Sequence, residues 1–154
     1  FIGLRERSGL AYYVRTHNEA YTDSGYLTTQ AGVPVSKLND AVKIILAEYG
    51  KLAAAPVAEA ELKKAKQCLI GRLALQLETS DNLASWYARQ AILLKEQNSR
   101  EKVLTPEKYF ARVKKITAAD VRRAAREIFR NDKLNLAVIG PYRDEEKYVK
   151  PLKL

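Results

Sequence analysis

The sequence predicts an α+β domain in which an antiparallel sheet packs against several helices on one face. Residues 12–18 and 25–31 are rich in strand-forming side chains and flank the turn Asp23-Ser24-Gly25, so they predict a β-hairpin. Downstream of the hairpin, apolar residues recur at helical spacing in several segments. Near the end of the chain, the apolar run 134–139 predicts a further strand in the middle of a sheet.

The segment before the hairpin predicts the last turns of a helix whose beginning is missing. Residues 1–7 have this helical character, and Gly9 stands where a left-handed helix C-cap would lie. A strand then begins. This arrangement would hold Arg5, at the end of the helix, close to Tyr12, at the start of the strand.

Two long helices are expected after the hairpin. The first follows an N-cap at Ser36, and Pro56 ends it because proline disfavours a helical residue before it. The second begins near Ala58, which offers no capping oxygen. Within this second helix, Cys68 is expected to be a small buried apolar residue and Gly71 to mark close packing.

Three more helices are expected further along the chain. One covers about residues 82–94, preceded by capping residues 79–81. The next has Thr105 as N-cap with Pro106 at its first position, and in the last Thr117 and Asp120 form a capping box. Four arginines lie away from the apolar stripe of this last helix or at its edge, which favours a solvated face: Arg122, Arg123, Arg126 and Arg130.

Composition leaves the class of partner open. The chain has 154 residues, a formal net charge of +9 and one cysteine, so it has room for one domain and no internal disulfide. Residues 95–154 carry 16 Lys and Arg against 9 Asp and Glu, whereas residues 1–94 carry 11 against 9. Such asymmetry can indicate nucleic acid, an anionic surface or acidic peptides, but a solvated helix face is the simpler interpretation.

The sequence lacks the motifs of several reactions. His17 is the one histidine, no H-x-x-E-H motif occurs, and neither glycine-rich phosphate loop is present. We therefore expect no metal site in this chain and interpret His17 as an ordinary strand residue. No run approaches the roughly 18 apolar residues of a membrane span, and residues 1–5 are too short for a signal peptide. These observations do not determine the cellular compartment of the protein.

Four stretches in order resemble one family. They are Leu4-Arg5-Glu6-Arg7-Ser8-Gly9-Leu10-Ala11-Tyr12, the turn Asp23-Ser24-Gly25-Tyr26, the helical stretch 59–66 and the closing 134–141. Together they resemble the C-terminal half of domains in the pitrilysin (M16) family of zinc peptidases, which includes insulin-degrading enzymes and mitochondrial processing peptidases. The resemblance covers residues 1–141 as a half-domain and leaves 142–154 as a charged tail or linker.

The resemblance implies a role in a composite site. In this family the zinc, its H-x-x-E-H ligands and the glutamate base belong to one half, and an arginine and a tyrosine of the opposing half complete the substrate cleft. Arg5 and Tyr12 stand at those two positions. Zinc is therefore expected in a partner domain or subunit, with a peptide as substrate, in a homo- or hetero-oligomer or a longer chain. This chain is not expected to be active alone.

Several alternatives stay open. Arg5 could pair with Glu48, Tyr12 could form a cross-strand contact with Tyr26, and Tyr13 competes with Tyr12 because adjacent strand residues face opposite sides. The seven-residue offset from Arg5 favours Tyr12. At the level of function, the alternatives are a non-catalytic scaffold subunit of the same fold and a basic module that binds an anionic surface or nucleic acid. No nucleic-acid partner is expected, since no such motif accompanies the charge.

Overall fold

The computed structural model describes residues 9–97, 101–141 and 152–154. In chain order these residues form β1 (Tyr13–Ala20), β2 (Gly25–Gly32), α1 (Leu38–Ala54), α2 (Glu59–Gln76), α3 (Ser80–Glu96), α4 (Pro106–Lys115) and α5 (Ala118–Ile128). The predicted α+β class is confirmed. The chain divides into two units: the first takes its described residues from Phe1–Ala20, Gly25–Pro56 and Val121–Leu154, and the second from Tyr21–Ser24 and Val57–Asp120.

The predicted hairpin is present in the first unit. β1 and β2 pair antiparallel in a register that runs from Tyr13 opposite Gly32 to Ala20 opposite Gly25. Because side chains alternate between the two faces of a strand, Val14 and its partner Ala31 share one face, and both pack against the core. We call this the inner face of the hairpin.

Helix α1 covers the inner face. Ala41 of α1 is 2% exposed and packs with the buried Ala11, close to Val14 and Ala31. A second cluster forms along the same helix from Leu38, Val42, Leu46 and the partly buried Leu134, Leu136 and Leu152. The core of the first unit therefore lies around α1.

One polar contact runs through this apolar packing. The hydroxyls of Thr16 and Thr29, on neighbouring strands, lie 2.7 Å apart, and Thr29 Oγ1 lies 2.5 Å from the Tyr49 hydroxyl of α1. The Tyr49 ring in turn stacks on Phe129, with ring centroids 4.2 Å apart and planes 8° from parallel. The hairpin, α1 and the residue after α5 are thus joined through one side chain.

The start of α1 differs from the prediction, whereas its end agrees, because α1 stops at Ala54 and Ala55 before Pro56 is extended. Ser36 does not cap α1, because residues Val35–Lys37 form a 3-10 turn and the N-cap is Lys37, whose side chain makes no capping bond. At the other end, the Ala53 carbonyl accepts hydrogen bonds from Nε of Arg122 at 3.4 Å and of Arg126 at 3.0 Å. Arg122 is half-buried and Arg126 is exposed, so both keep contact with solvent while they satisfy a carbonyl that the helix leaves unpaired.

The predicted strand 134–139 is also wrong. Among the described residues the sheet contains β1 and β2 alone, and 134–139 has no strand beside it to supply backbone partners. Leu134 and Leu136 pack on the α1 cluster instead, while the Ile139 side chain is fully exposed.

The second unit contains α2, α3 and α4. Trp86 meets Tyr109 edge-on at 5.1 Å, and its indole N–H donates to the Leu104 carbonyl at 3.3 Å. The Gln90 side chain both donates to that carbonyl and accepts from the Leu104 amide at 2.9 Å. These bonds fix the segment before α4 against α3.

The predicted helix caps are confirmed in the second unit. Thr79 accepts from the Asn82 amide at 3.3 Å and Thr105 from the Lys108 amide at 3.4 Å. Thr117 and Asp120 form the reciprocal bonds of a capping box. Ala58 is the N-cap residue of α2 and provides no side-chain cap, as the sequence predicts.

Two expectations for α2 are wrong. Cys68 is exposed, and a Cβ added at Gly71 would meet nothing within 4 Å. Both differences follow from the packing of α2, which buries none of its residues fully in the part of the chain described.

Among the helices of the described residues, none combines the length and the apolar character that a membrane span requires.

Substituting two glycines of the first unit should have opposite effects. A Cβ at Gly25 would lie 2.8 Å from the Glu19 backbone carbonyl oxygen, so Gly25→Ala should lower the free energy of unfolding by about 1–3 kcal/mol. Gly50, inside α1, has nothing within 4 Å of its added Cβ, so Gly50→Ala should raise it by about 1 kcal/mol through helix propensity. Urea denaturation measures both, and a neutral Gly25→Ala would contradict the close approach.

Candidate functional site

Tyr12 lies immediately before β1, at the open end of the hairpin. Its backbone amide donates to the Gly32 carbonyl at 2.9 Å, which fixes the main chain at this point. Its side chain is 89% exposed. Within the described segments, no hydrogen bond or ring contact engages the phenol. Tyr12 therefore offers an unengaged hydrogen-bond donor on an anchored backbone.

Tyr13 is the competing phenol, and its ring has a structural contact. The position that a Cβ would take at Gly32 lies 2.5 Å from Cε1 and 2.9 Å from Cδ1 of Tyr13. The Tyr13 ring thus occupies the space left by the missing side chain of its cross-strand partner. This contact ties Tyr13 to β2 and distinguishes it from Tyr12.

The alternative contact of Tyr12 with Tyr26 is wrong. The register pairs Tyr26 with Glu19, near the turn, whereas Tyr12 lies at the opposite end of the hairpin. The Tyr26 ring meets the His17 ring edge-on, at 6.5 Å between centroids. His17 is a strand residue that pairs with Thr28, and its ring contact is with a neighbouring aromatic side chain.

Arg5 lies outside the described residues, so its closeness to Tyr12 stays a prediction. Two observations bear on this prediction and on its alternative. Gly9 has φ of 59°, which confirms the predicted left-handed conformation. Glu48, the acid considered as a partner for Arg5, is bound to Lys51 at 2.6 Å.

The described residues do not fit a zinc centre. No group of three or more His, Cys, Asp and Glu side chains in residues 9–97, 101–141 and 152–154 is placed to hold a metal ion. His17 and Cys68, the only residues of their types in the sequence, lie in β1 and α2. No step of a reaction is therefore assigned to a metal bound by these residues.

The basic residues of α5 and its end are engaged within the molecule. Besides Arg122 and Arg126 on the Ala53 carbonyl, Arg123 Nη1 lies 3.4 Å from Glu127. Arg130 forms two bonds with Asp132, at 3.0 and 2.7 Å. These partners argue against a free arginine stripe for nucleic acid.

Two acids have lowered pKa values, and both serve local structure. The hydrogen bond from Arg130 holds the pKa of Asp132 below its ordinary value of 3.8. The hydrogen bond with the Thr105 hydroxyl, at the N-terminus of α4, lowers the pKa of Glu107 from 4.5. Neither residue belongs to the hairpin.

Comparisons with known proteins decide the family. Residues 1–69 match the family described as the Peptidase M16 inactive domain. A protein of Streptomyces coelicolor named as an uncharacterized zinc protease is 30% identical over 146 residues, which are 95% of this chain and 30% of that protein. The chain belongs to the M16 peptidase family. The resemblance to a C-terminal domain of this family is confirmed.

A further relative and a solved structure also match most of this chain. The mitochondrial-processing peptidase subunit alpha-2 of Dictyostelium discoideum is 29% identical over 127 residues, which are 82% of this chain and 26% of that one. A solved chain from complex III2 of Candida albicans, with Inz-5 bound, has a TM-score of 0.68 at 18% identity and covers 80% of this chain and 28% of its own. This M16 chain spans about a third or less of the length of the curated relatives it matches.

The two adjacent tyrosines should respond differently to truncation. Tyr12→Ala should change the free energy of unfolding by less than about 0.5 kcal/mol, because the side chain is exposed and unengaged. Tyr13→Ala should lower it by about 1 kcal/mol, because it removes the ring that lies over Gly32. Denaturant titration of both variants tests this, and a larger loss at Tyr12 would contradict the assignment.

The Arg130 and Asp132 pair gives a pH prediction. Because the folded-state pKa of Asp132 is lowered, the pair stabilises the fold above the ordinary pKa of 3.8, and the stabilisation is lost as pH falls through the lowered value. Arg130→Gln should raise the pKa of Asp132 toward 3.8. Carboxyl NMR titration measures this, with Arg123→Gln as a control that leaves Asp132 unchanged. An unaltered titration in Arg130→Gln would refute the hydrogen bond from Arg130 as the cause.

Proposed function

We propose that this chain is the substrate-cleft half of a zinc-dependent metalloendopeptidase and that a zinc-bearing M16 domain or subunit faces it. Membership of a family whose relatives are named as zinc proteases supports the reaction class. The observation that carries the assignment to this chain is the exposed phenol of Tyr12, held on an anchored backbone at the start of β1.

In this proposal Tyr12 and Arg5 bind the peptide. A phenol donates one hydrogen bond, and a guanidinium presents a rigid fork of donors, so together they can hold a peptide carbonyl oxygen. Donors that meet the negative charge developing on this oxygen accelerate the reaction, because their bonds strengthen in the transition state. The exposure of Tyr12 leaves its hydroxyl available for such a bond.

The partner supplies what this chain's described residues do not. A zinc-bearing domain or subunit brings the metal and the base for hydrolysis, and this chain binds and orients the peptide. One matched relative is named as a subunit of a processing peptidase, which supports an arrangement of separate subunits. A longer polypeptide containing both halves is equally compatible with the proposal, since the chain covers about a third or less of its relatives.

Peptide hydrolysis by the reconstituted pair tests the role of Tyr12. The chain is mixed with the matching H-x-x-E-H portion, and turnover of a fluorogenic peptide is measured. Tyr12→Phe should lower kcat by about 10²- to 10³-fold, the usual cost of losing one donor to a developing oxyanion. Tyr13→Phe keeps the ring over Gly32 and serves as the matched control, with turnover close to that of the unmodified chain.

The assay also has a contradicting outcome. Unchanged turnover in Tyr12→Phe, with the fold intact by circular dichroism, would remove Tyr12 from the cleft. A loss in Tyr13→Phe equal to that in Tyr12→Phe would show that neither hydroxyl has the specific role proposed.

A non-catalytic scaffold is the second candidate. The match to a domain described as inactive favours it, because a domain of this kind can be retained for assembly alone. The zinc content of the full assembly and its hydrolysis of peptides distinguish the two functions. An assembly without zinc or turnover supports the scaffold, whereas zinc with Tyr12-dependent turnover supports the peptidase.

A further inference from the structure

The segment 134–139 has the side-chain pattern of a strand but no strand beside it. Its first residue, Leu134, has extended backbone angles, with φ of −77° and ψ of 131°. Leu134 and Leu136 pack on the cluster around α1, whereas Asn135 and Ala137 are exposed. This alternation has the two-residue period of a strand. No hydrogen-bonded ladder forms along the segment within the described residues.

The backbone groups of this segment have no partners in the part of the chain that the structure describes. One main-chain bond reaches the segment, from the Leu134 amide to the Asn131 carbonyl at 3.4 Å, and that bond closes the turn before it. The amides of residues 135–139 donate to no backbone carbonyl there. A row of free N–H and C=O groups beside apolar side chains is a template for pairing with another strand. The segment is therefore an open edge.

The hairpin lies next to this segment on the same helix. Val33, the residue after β2, packs against both clusters of α1: the one of Ala41 beneath the hairpin and the one of Leu38 that holds Leu134 and Leu136. The hairpin and the start of the segment therefore cover neighbouring stripes of α1. A sheet of two strands is marginal on its own, and neither β1 nor β2 has a second neighbouring strand among the described residues. The first unit thus presents a partly formed sheet layer over α1.

We infer that residues 134–139 are an interaction surface that pairs, as a β-strand, with an extended apolar segment of the H-x-x-E-H portion of the enzyme. The matched region is 30% of the Streptomyces coelicolor relative and 28% of the solved complex III2 chain, so most of an M16 polypeptide lies outside it. The occupant is a strand of that remainder. The inference rests on the proposed function for the presence of the zinc-bearing portion.

The side chains of the segment determine which kind of strand fits. Apart from Asn135 its residues are apolar, which is the pattern of a strand that is covered on both faces. Ladder bonds to a neighbouring strand would give the free backbone groups their partners. An apolar neighbour would also cover the Ile139 side chain, which is fully exposed in this chain. A charged peptide would leave that side chain in water, so the chemistry favours an apolar strand as occupant.

Hydrogen exchange followed by mass spectrometry tests the inference on the full chain. The chain is measured alone and after mixing with the matching H-x-x-E-H portion. Alone, the amides of residues 135–139 should exchange at nearly the rate of an unstructured peptide, because no backbone bond protects them. In the mixture these amides should exchange at least about 10-fold more slowly, because ladder bonds must open before exchange.

Proline substitutions test whether backbone bonds carry the association. Neighbouring amides of a strand point to opposite edges, and proline has no N–H to donate. At least one of Ala137→Pro and Val138→Pro should therefore weaken binding of the H-x-x-E-H portion by about 10-fold in calorimetric titration. Lys102→Pro is the matched control and should bind as the unmodified chain does. Lys102 is exposed, lies outside the helices and strands, and has no backbone bond in the described part of the chain.

Four results would overturn the inference. They are unchanged exchange at residues 135–139 in the mixture, unchanged affinity in both Ala137→Pro and Val138→Pro, an equal loss in Lys102→Pro, and protection that grows with the concentration of the chain alone. The last result would show that a second copy occupies the edge. Failure of the proposed function is distinguishable, because it is measured by turnover of Tyr12→Phe. Slowed exchange at residues 135–139 with unchanged turnover in Tyr12→Phe would keep the shared sheet and remove the cleft role.

Discussion

The contact between α1 and the inner face of the hairpin is the constraint on which the first unit depends. Tyr49 of α1 makes this contact through its hydroxyl, which meets Thr29 at 2.5 Å, while its ring stacks on Phe129, the residue after α5, at 4.2 Å. Around it lie the apolar clusters of α1. A hydroxyl within an apolar contact must find a partner to offset its desolvation, so the bond specifies the register of helix on sheet as well as stabilising it.

This constraint determines what the other face of the hairpin presents. Once Val14 is directed toward α1, the two-residue period of the strand places Tyr13 and Arg15 on the opposite side. Tyr13 then lies over Gly32, where an added Cβ would come within 2.5 Å of the ring and displace it. The guanidinium of Arg15 is left exposed by the same packing that orders the strand, whereas the exposed phenol of Tyr12 lies just before β1.

Features set by local chemistry could be predicted from the sequence. The hairpin, the caps at Thr79, Thr105 and Thr117, and the left-handed Gly9 each depend on neighbours a few residues away. The pattern of residues 134–139 was misleading, because an apolar run forms a strand only where another backbone pairs with it. The prediction that Cys68 is buried was wrong for a similar reason, since the burial of a helix residue depends on what the helix packs against.

For the candidate site, sequence pattern selected Tyr12 by its offset from Arg5, but the distinction from Tyr13 needed the register opposite Gly32. The roles of Arg122 and Arg126 were beyond sequence reasoning, because the carbonyl they bind is 69 and 73 residues away.

The exposed sulfur on α2 has a practical consequence. Cys68 is the only cysteine in the sequence and is open to solvent, so a maleimide dye or spin label would attach at one defined point without any substitution. The label would sit on the second unit, while the hairpin with Tyr12 belongs to the first. Encounters between this chain and a larger assembly could therefore be followed spectroscopically with the native tyrosines and arginines left untouched.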